Sequence, residues 1–274
     1  MKIDADTRAG APAARRRLAA ALAFLLAPGI VAATEPDSFH ATFDTAVRAD
    51  DAGVVKRGQL LLRRYQATPA IVDLGIPANV QFAALAVSGD DVFYSPDASF
   101  MAGSLRVTPR DIARRSSSGV TTIQLSGDVI GLPATARIDA LVLSGSDILF
   151  SVDVPARVAA LAVGSADILR WNGSSVSILY SAQALGLPAG LNVSALERLS
   201  NGDLLVGFDS AGKVGGVSFK AGEVLDYSPA TGHWAMWRQL SLFGVQCAPC
   251  RPGDFAASVN PDLIFRSGIE RYEG

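Results

Sequence analysis

From residue 38 onward, apolar residues fall in short runs separated by clusters of Ser, Gly, Asp and Asn. The clearest stretch runs from Ile138 to Tyr180. Its apolar runs follow Asp139, Asp147 and Asp167, and a last one starts at Val176. Branched, aliphatic and aromatic residues fill the runs, and turn formers fill the gaps, which is how strands and turns are written. The pattern predicts strands over 139–143, 147–152, 167–171 and 176–180. Beyond the N-terminal segment, no stretch keeps a helical apolar period over the length a helix needs.

The same arrangement recurs. Asp91, Asp97 and Asp111 are matched by Asp147, Asp153 and Asp167, and then by Asp203, Asp209 and Glu223. The steps are 6 and 14 residues in all three copies, and the first acids lie 56 apart. Gly75, Gly131 and Gly186 each open a Gly-Leu/Ile-Pro motif near the end of a copy. A fixed period of this length marks a propeller, solenoid or array, and four strands in about 50 residues is a blade signature. The two ends complement each other. Phe43-Asp44 and Gly58 to Arg63 match the later part of a unit, and Phe255 to Ser258 with Asp262 to Phe265 match its start. The expectation is an all-β propeller of four blades, each of four antiparallel strands. Its units would span about 82–137, 138–192 and 193–247, with a split unit from 39–81 plus 254–268. Pairing of the N- and C-terminal segments would close the ring and remove its open edges. An open β-solenoid is the rival, but it calls for capping ends rather than complementary half-units.

The first 33 residues read differently. Lys2, Arg8 and Arg15 to Arg17 precede an apolar run from Leu18 to Val31, which breaks at Pro28-Gly29 and reaches Val31 to Ala33. This is a secretory signal with cleavage expected after Ala33. The run is shorter than the ~20 residues a membrane span needs. The expected mature protein is therefore a single domain, 34–274, without a membrane span, in the periplasm or outside the cell. A hydrophobic content of 49% is enough for a packed core. With 24 basic and 26 acidic residues and no basic stripe interleaved with aromatics, nucleic acid is excluded as an expected partner.

Four sets of residues are candidates for chemistry. Cys247 and Cys250 are the two cysteines, and in an exported chain they read as a disulfide. A redox pair would want a helix N-terminus, and a zinc site would need two more ligands, with His40 and His233 the two histidines. Asp44, Asp97, Asp153 and Asp209 occupy equivalent positions, so rotational symmetry would arrange them as a ring of hard oxygen ligands suited to Ca²⁺. The alternative is Asp as a turn residue that caps its own backbone. Trp234 and Trp237, on opposite faces of one strand, are a candidate platform for a sugar or peptide, or else packing between blades. Arg106, Arg110, Arg114 and Arg115 surround Asp111 and read as an anion site or a solvated edge. There is no Gly-x-Ser-x-Gly elbow, P-loop or dinucleotide fingerprint. Acid pairs in every unit leave a glycosidase-type pair open.

Asp139-Ala140-Leu141, Phe150-Ser151-Val152-Asp153, Asp167-Ile168-Leu169-Arg170 and Gly186-Leu187-Pro188 resemble the repeat of uncharacterised proteins that many bacteria export. The likeness covers most of residues 39–268. The pattern is also similar to the hemopexin-type four-bladed propeller, whose blades open with Asp-Ala on the innermost strand and whose axial channel holds ions. Asp139 matches that Asp, while Ala83, Ser194 and Ala256 stand in the equivalent places. The resemblance implies a fold and supplies no catalytic residue. The expected function is a non-catalytic binding or scaffolding module for an extracellular or periplasmic protein, a glycan or Ca²⁺. The alternative is a hydrolase or lyase acting on an extracellular polymer at one face of the ring. An enzyme should bring different polar residues together at one end of the axis; a binding module should show aromatics and loop insertions, and 234–250 departs most from the repeat.

Overall fold

The computed structural model describes residues 38–43, 47–49, 53–56, 58–64, 70–238, 245–246 and 252–258; residues 1–33, read from sequence as a leader, lie outside them. Regular structure in these residues is entirely β. Unit I holds β1 (Ser38–Phe43), β2 (Val47–Ala49), β3 (Gly53–Val55), β4 (Gln59–Arg64) and β5 (Ala70–Asp73). Unit II holds β6 (Phe82–Ser88), β7 (Asp91–Pro96), β8 (Phe100–Ala102), β9 (Leu105–Val107), β10 (Ile112–Arg115) and β11 (Thr121–Leu125). Unit III repeats this with β12 (Ile138–Ser144), β13 (Asp147–Val152), β14 (Ala156–Val158), β15 (Leu161–Val163), β16 (Ile168–Trp171) and β17 (Val176–Tyr180). Unit IV has β18 (Val193–Arg198), β19 (Leu204–Phe208), β20 (Gly212–Val214), β21 (Val217–Phe219), β22 (Val224–Ser228) and β23 (His233–Arg238). Two further strands follow, β24 (Val245–Gln246) and β25 (Pro252–Ser258).

Four sheets of four antiparallel strands result, ordered β25-β1-β4-β5, β6-β7-β10-β11, β12-β13-β16-β17 and β18-β19-β22-β23. The four strands read from the central repeat are those of unit III. What the pattern did not predict is a further hairpin between the second and third strand of each unit: β2–β3, β8–β9, β14–β15 and β20–β21. Each of its arms has three residues, too short for an alternation to declare itself.

The inner strands are buried on both faces because each sheet has a neighbour on either side. In β12, Leu141 joins Phe150 and Leu169 in a core with Ala84, Ala86 and Ile112 of unit II. Its neighbours in sequence, Ala140 and Val142, face the other way, in a core with Leu196, Leu204 and Val206 of unit IV. The two-residue period of a strand thus feeds two interfaces at once, and each large side chain fully buried there contributes about 1.5–3 kcal/mol. The first strands stand side by side, β6 against β12, β12 against β18, β18 against β25 and β25 against β6. Corresponding edges of adjacent sheets are stitched by backbone hydrogen bonds, Ile138 N–H to the Pro109 carbonyl at 3.0 Å and Val193 N–H to the Ser165 carbonyl at 3.1 Å. The recurring Gly-Leu/Ile-Pro has a conformational cause. Gly75, Gly131 and Gly186 sit at φ 67°, 66° and 68°, a left-handed turn that side chains resist.

Candidate functional site

The site begins with an irregularity that every described unit repeats. Pairing between the first two strands slips between Phe82 and Ala84, between Ile138 and Ala140, and between Val193 and Ala195. Each slip is a β-bulge, which leaves one residue unpaired and re-aims its side chain. That residue is Ala83 in unit II, Asp139 in unit III and Ser194 in unit IV.

Asp139 is only 6% exposed. Its Oδ2 accepts a hydrogen bond from Asn192 Nδ2 at 2.6 Å, and the same amide nitrogen reaches Asp209 Oδ2 at 3.2 Å. Arg137 Nε lies 3.3 Å from both Asp139 Oδ1 and Asp153 Oδ2, at ion-pair distance but outside hydrogen-bond geometry. Burial pushes the Asp139 carboxyl up from the ordinary range. The Asn192 hydrogen bond and the Arg137 charge pull it back in part, and Asp153 and Asp209 add to the rise. Asn192 is 9% exposed, and its Oδ1 is buried with no hydrogen-bond partner. The cluster therefore joins units III and IV at the edge where their first strands begin.

The repeated acids divide by role. The first acids of units II and III pair with the third strand: Arg114 Nη2 meets Asp91 Oδ2 at 2.5 Å, and Arg170 Nε meets Asp147 Oδ2 at 2.7 Å. The second acids clamp the residue that leads into the first strand. Asp97 Oδ1 accepts from Gln81 N–H at 2.9 Å, and Asp153 Oδ1 from Arg137 N–H at 2.8 Å. The third acids pin turns: Asp111 accepts from Thr108 N–H at 3.0 Å and Gly127 N–H at 3.0 Å, and Asp167 from Gly164 N–H at 2.8 Å and Ala182 N–H at 2.7 Å.

Of the four acids read as a ring, Asp153 and Asp209 converge on Asp139, Asp97 caps its own unit, and Asp44 lies outside the described residues. Among the described residues, no three His, Cys, Asp or Glu side chains are placed to hold a metal ion. Asn192 and Arg137 were not read as site residues. They stand where Gln81 stands in unit II, and this departure from the repeat was the signal available.

Trp234 is a correction to the platform reading. It is 3% exposed, with its ring 4.7 Å from Tyr227 and 6.4 Å from Phe208, and its Nε1–H donates to the Leu185 carbonyl at 3.1 Å. It packs between units IV and III, because the face of β23 that carries it is the one turned toward unit III. Trp237 is half-buried on the same strand. Arg110 pairs with Asp128 at 2.8 Å and donates to the Leu132 carbonyl at 3.1 Å, and Arg114 is held by Asp91, so two of the four arginines near Asp111 are taken up by local contacts. Cys247 and Cys250 lie outside the described residues, as does the side chain of His40.

No protein-family model matches the chain. No curated protein matches it either. Among solved structures, the extracellular domain of a putative one-component system from B. thetaiotaomicron is 14% identical, with 71% of this chain and 22% of that chain covered and a TM-score of 0.32. YCF48 bound to a D1 peptide is 10% identical over 74% of this chain and 68% of that one, with a TM-score of 0.31. A structure of a nidogen–laminin complex gives 10% identity, 81% and 98% coverage and a TM-score of 0.37. Among the described residues, no helix is long and apolar enough to cross a membrane.

Proposed function

We propose that the four sheets are the blades of a closed four-bladed propeller, exported by its leader, that acts as a non-catalytic binding or scaffolding module. Closure is supported by β25 pairing with β1 and by the cyclic order in which the first strands touch. A disulfide between Cys247 and Cys250 would suit the exported compartment. The partner would be an extracellular or periplasmic protein, a glycan or Ca²⁺, held at the end of the axis where Asp139 sits. The observation that carries this reading is the Asn192 Oδ1, buried and unpaired on an amide whose Nδ2 meets the Asp139 and Asp209 carboxylates. A buried acceptor left unsatisfied is costly, and a cation or an N–H or O–H group from a ligand would satisfy it. Asp139 and Asp209 both meet the Asn192 amide, and a Ca²⁺ ion held there would take its remaining oxygen donors from water or the ligand.

The test is thermal unfolding of residues 34–274 with excess Ca²⁺ and then with chelator. A ligand of the folded state raises the midpoint by mass action. A rise of several degrees, lost in Asp139→Asn, is expected for a cation site. An unchanged midpoint would remove Ca²⁺ and leave the protein or glycan ligand.

A second reading, a hydrolase or lyase on an extracellular polymer, is favoured by one observation. Arg137, Asp139 and Asn192 break the repeat together at one end of the first strands, and the Asp139 carboxyl is raised as a general acid's would be. Release of new chain ends from acidic or neutral polysaccharides, abolished by Asp139→Asn, would carry it.

A further inference from the structure

The hairpins inserted in each unit share a design that the axial cluster does not use. β7 ends at Pro96, opposite Phe82 at the start of β6, and β8 follows four residues later. β13 ends opposite Ile138 and β19 opposite Val193 in the same way, so each hairpin leaves its sheet at the edge where the bulge lies. Backbone hydrogen bonding between units keeps these edges together: Ala159 N–H, in the turn of β14–β15, reaches the Gly131 carbonyl of unit II at 3.4 Å.

On each hairpin one side is packed and the other is open. Val107, Val158 and Val214 are buried at 0%, 0% and 3% exposure. The central cross-strand pairs are Met101 with Arg106, Arg157 with Ala162 and Lys213 with Ser218, and all six side chains are exposed. Each pair holds one cation. Segments 98–107, 154–163 and 210–219 contain no acid, and no ion pair among the described residues engages Arg106, Arg157 or Lys213. In unit I, Arg48 takes the matching register position opposite Val54, but Asp50 and Asp51 stand between the two arms in sequence.

We infer that Arg106, Arg157 and Lys213 form a cationic arc over three consecutive units that docks an acidic polysaccharide. The inference rests on the binding-module reading and names its ligand class. Charges on a short exposed hairpin also deter edge pairing, but either sign serves that purpose, and here the sign is constant. The protein carries a net charge of −2, so attraction for a polyanion must be local. Three separated cations suit a repeating anionic polymer, whose charges engage together. The exposed residues opposite the cations are Met101, Ala162 and Ser218, with no aromatic ring on which the bases of a single strand would stack, which favours a glycan over single-stranded nucleic acid.

The experiment measures binding of the full mature chain to polygalacturonate and dextran sulfate, with neutral dextran and duplex DNA alongside. Affinity for an acidic polysaccharide is expected to fall roughly 20-fold between 50 and 200 mM NaCl, as release of about three counterions requires. The triple variant R106Q/R157Q/K213Q should bind at least tenfold more weakly with an unchanged melting midpoint. Arg106→Lys with Arg157→Lys should keep binding, and Lys56→Gln, exposed outside the arc, should leave it intact. Absence of binding to either acidic polymer at 50 mM salt, undiminished binding by the triple variant, or tighter binding to DNA would each overturn the inference. A Ca²⁺-dependent midpoint that survives in the triple variant would locate such a failure in the arc and not in the axial site.

Discussion

Units II and III differ from unit IV at one rung of the sheet. Arg114 lies opposite Phe93 and Arg170 opposite Leu149, and each reaches back to the acid that opens the second strand. In unit IV the same register position, opposite Leu205, is Asp226, and the acid it would meet is Asp203. A complementary pair has become a like-charged one on an unaltered backbone. Asp226 Oδ1 is buried without a hydrogen-bond partner. Burial chiefly, and Asp203 next, push its carboxyl up to about 6, against a downward pull from His233. The blade therefore needs nothing ionic at this rung. Hydrophobic interfaces hold the sheet, and the rung is free to stabilise in one unit and to respond to pH in another.

The largest effect should come from those interfaces. Trp234→Ala empties the aromatic cluster that joins unit IV to unit III, and should cost roughly 3–5 kcal/mol in chemical denaturation. A loss below about 1 kcal/mol would mean that unit IV does not depend on this contact. Next is Asp226→Asn. The raised carboxyl favours the neutral form in the folded state, so its stabilisation is complete below the ordinary carboxylate range and is lost as pH rises through about 6. The variant should match the parent at acid pH and exceed it above pH 7 by about 1 kcal/mol, a figure reduced for solvent screening of a half-exposed group. Midpoints that stay parallel from pH 4 to 8 would refute the like-charge account. The smallest is Arg170→Gln, which strands Asp147 and should destabilise by about 0.5 kcal/mol, less in high salt. Loss of charge at one register position would then carry opposite signs in two units.

Sheet order and strand positions were legible because the inner strands are buried on both faces and their acids sit at fixed offsets. Asp147–Val152 and Val176–Tyr180 were read to the residue. The hairpins were not legible, since Gly212 to Phe219 offers small residues and arms of three. For the acids, sequence gave the period but not the partner. Asp97 and Asp153 cap backbone amides, which a symmetric ring of ligands does not describe. Asp139 could be seen as a departure from its repeat mates Ala83 and Ser194, but its meeting with Asn192 requires the bulge, a backbone event that no side-chain pattern encodes. Trp234 could be read as a platform or as packing between blades, because strand alternation says which residues share a face and not what covers that face.

The pairing of β1 with β25 also sets an order of events. Ser38 lies opposite Ser258 and Ala41 opposite Phe255, so one sheet is assembled from segments made at widely separated times. As the chain emerges, β1 appears first and has no inner neighbour until more than two hundred residues have followed it. During that interval its edge is open to mispairing, and closing so long a loop makes this sheet the slow step of folding. Units II to IV, built from contiguous sequence, can form while they wait. A chain cut short before Pro252 would keep three whole sheets and leave the fourth without its innermost strand.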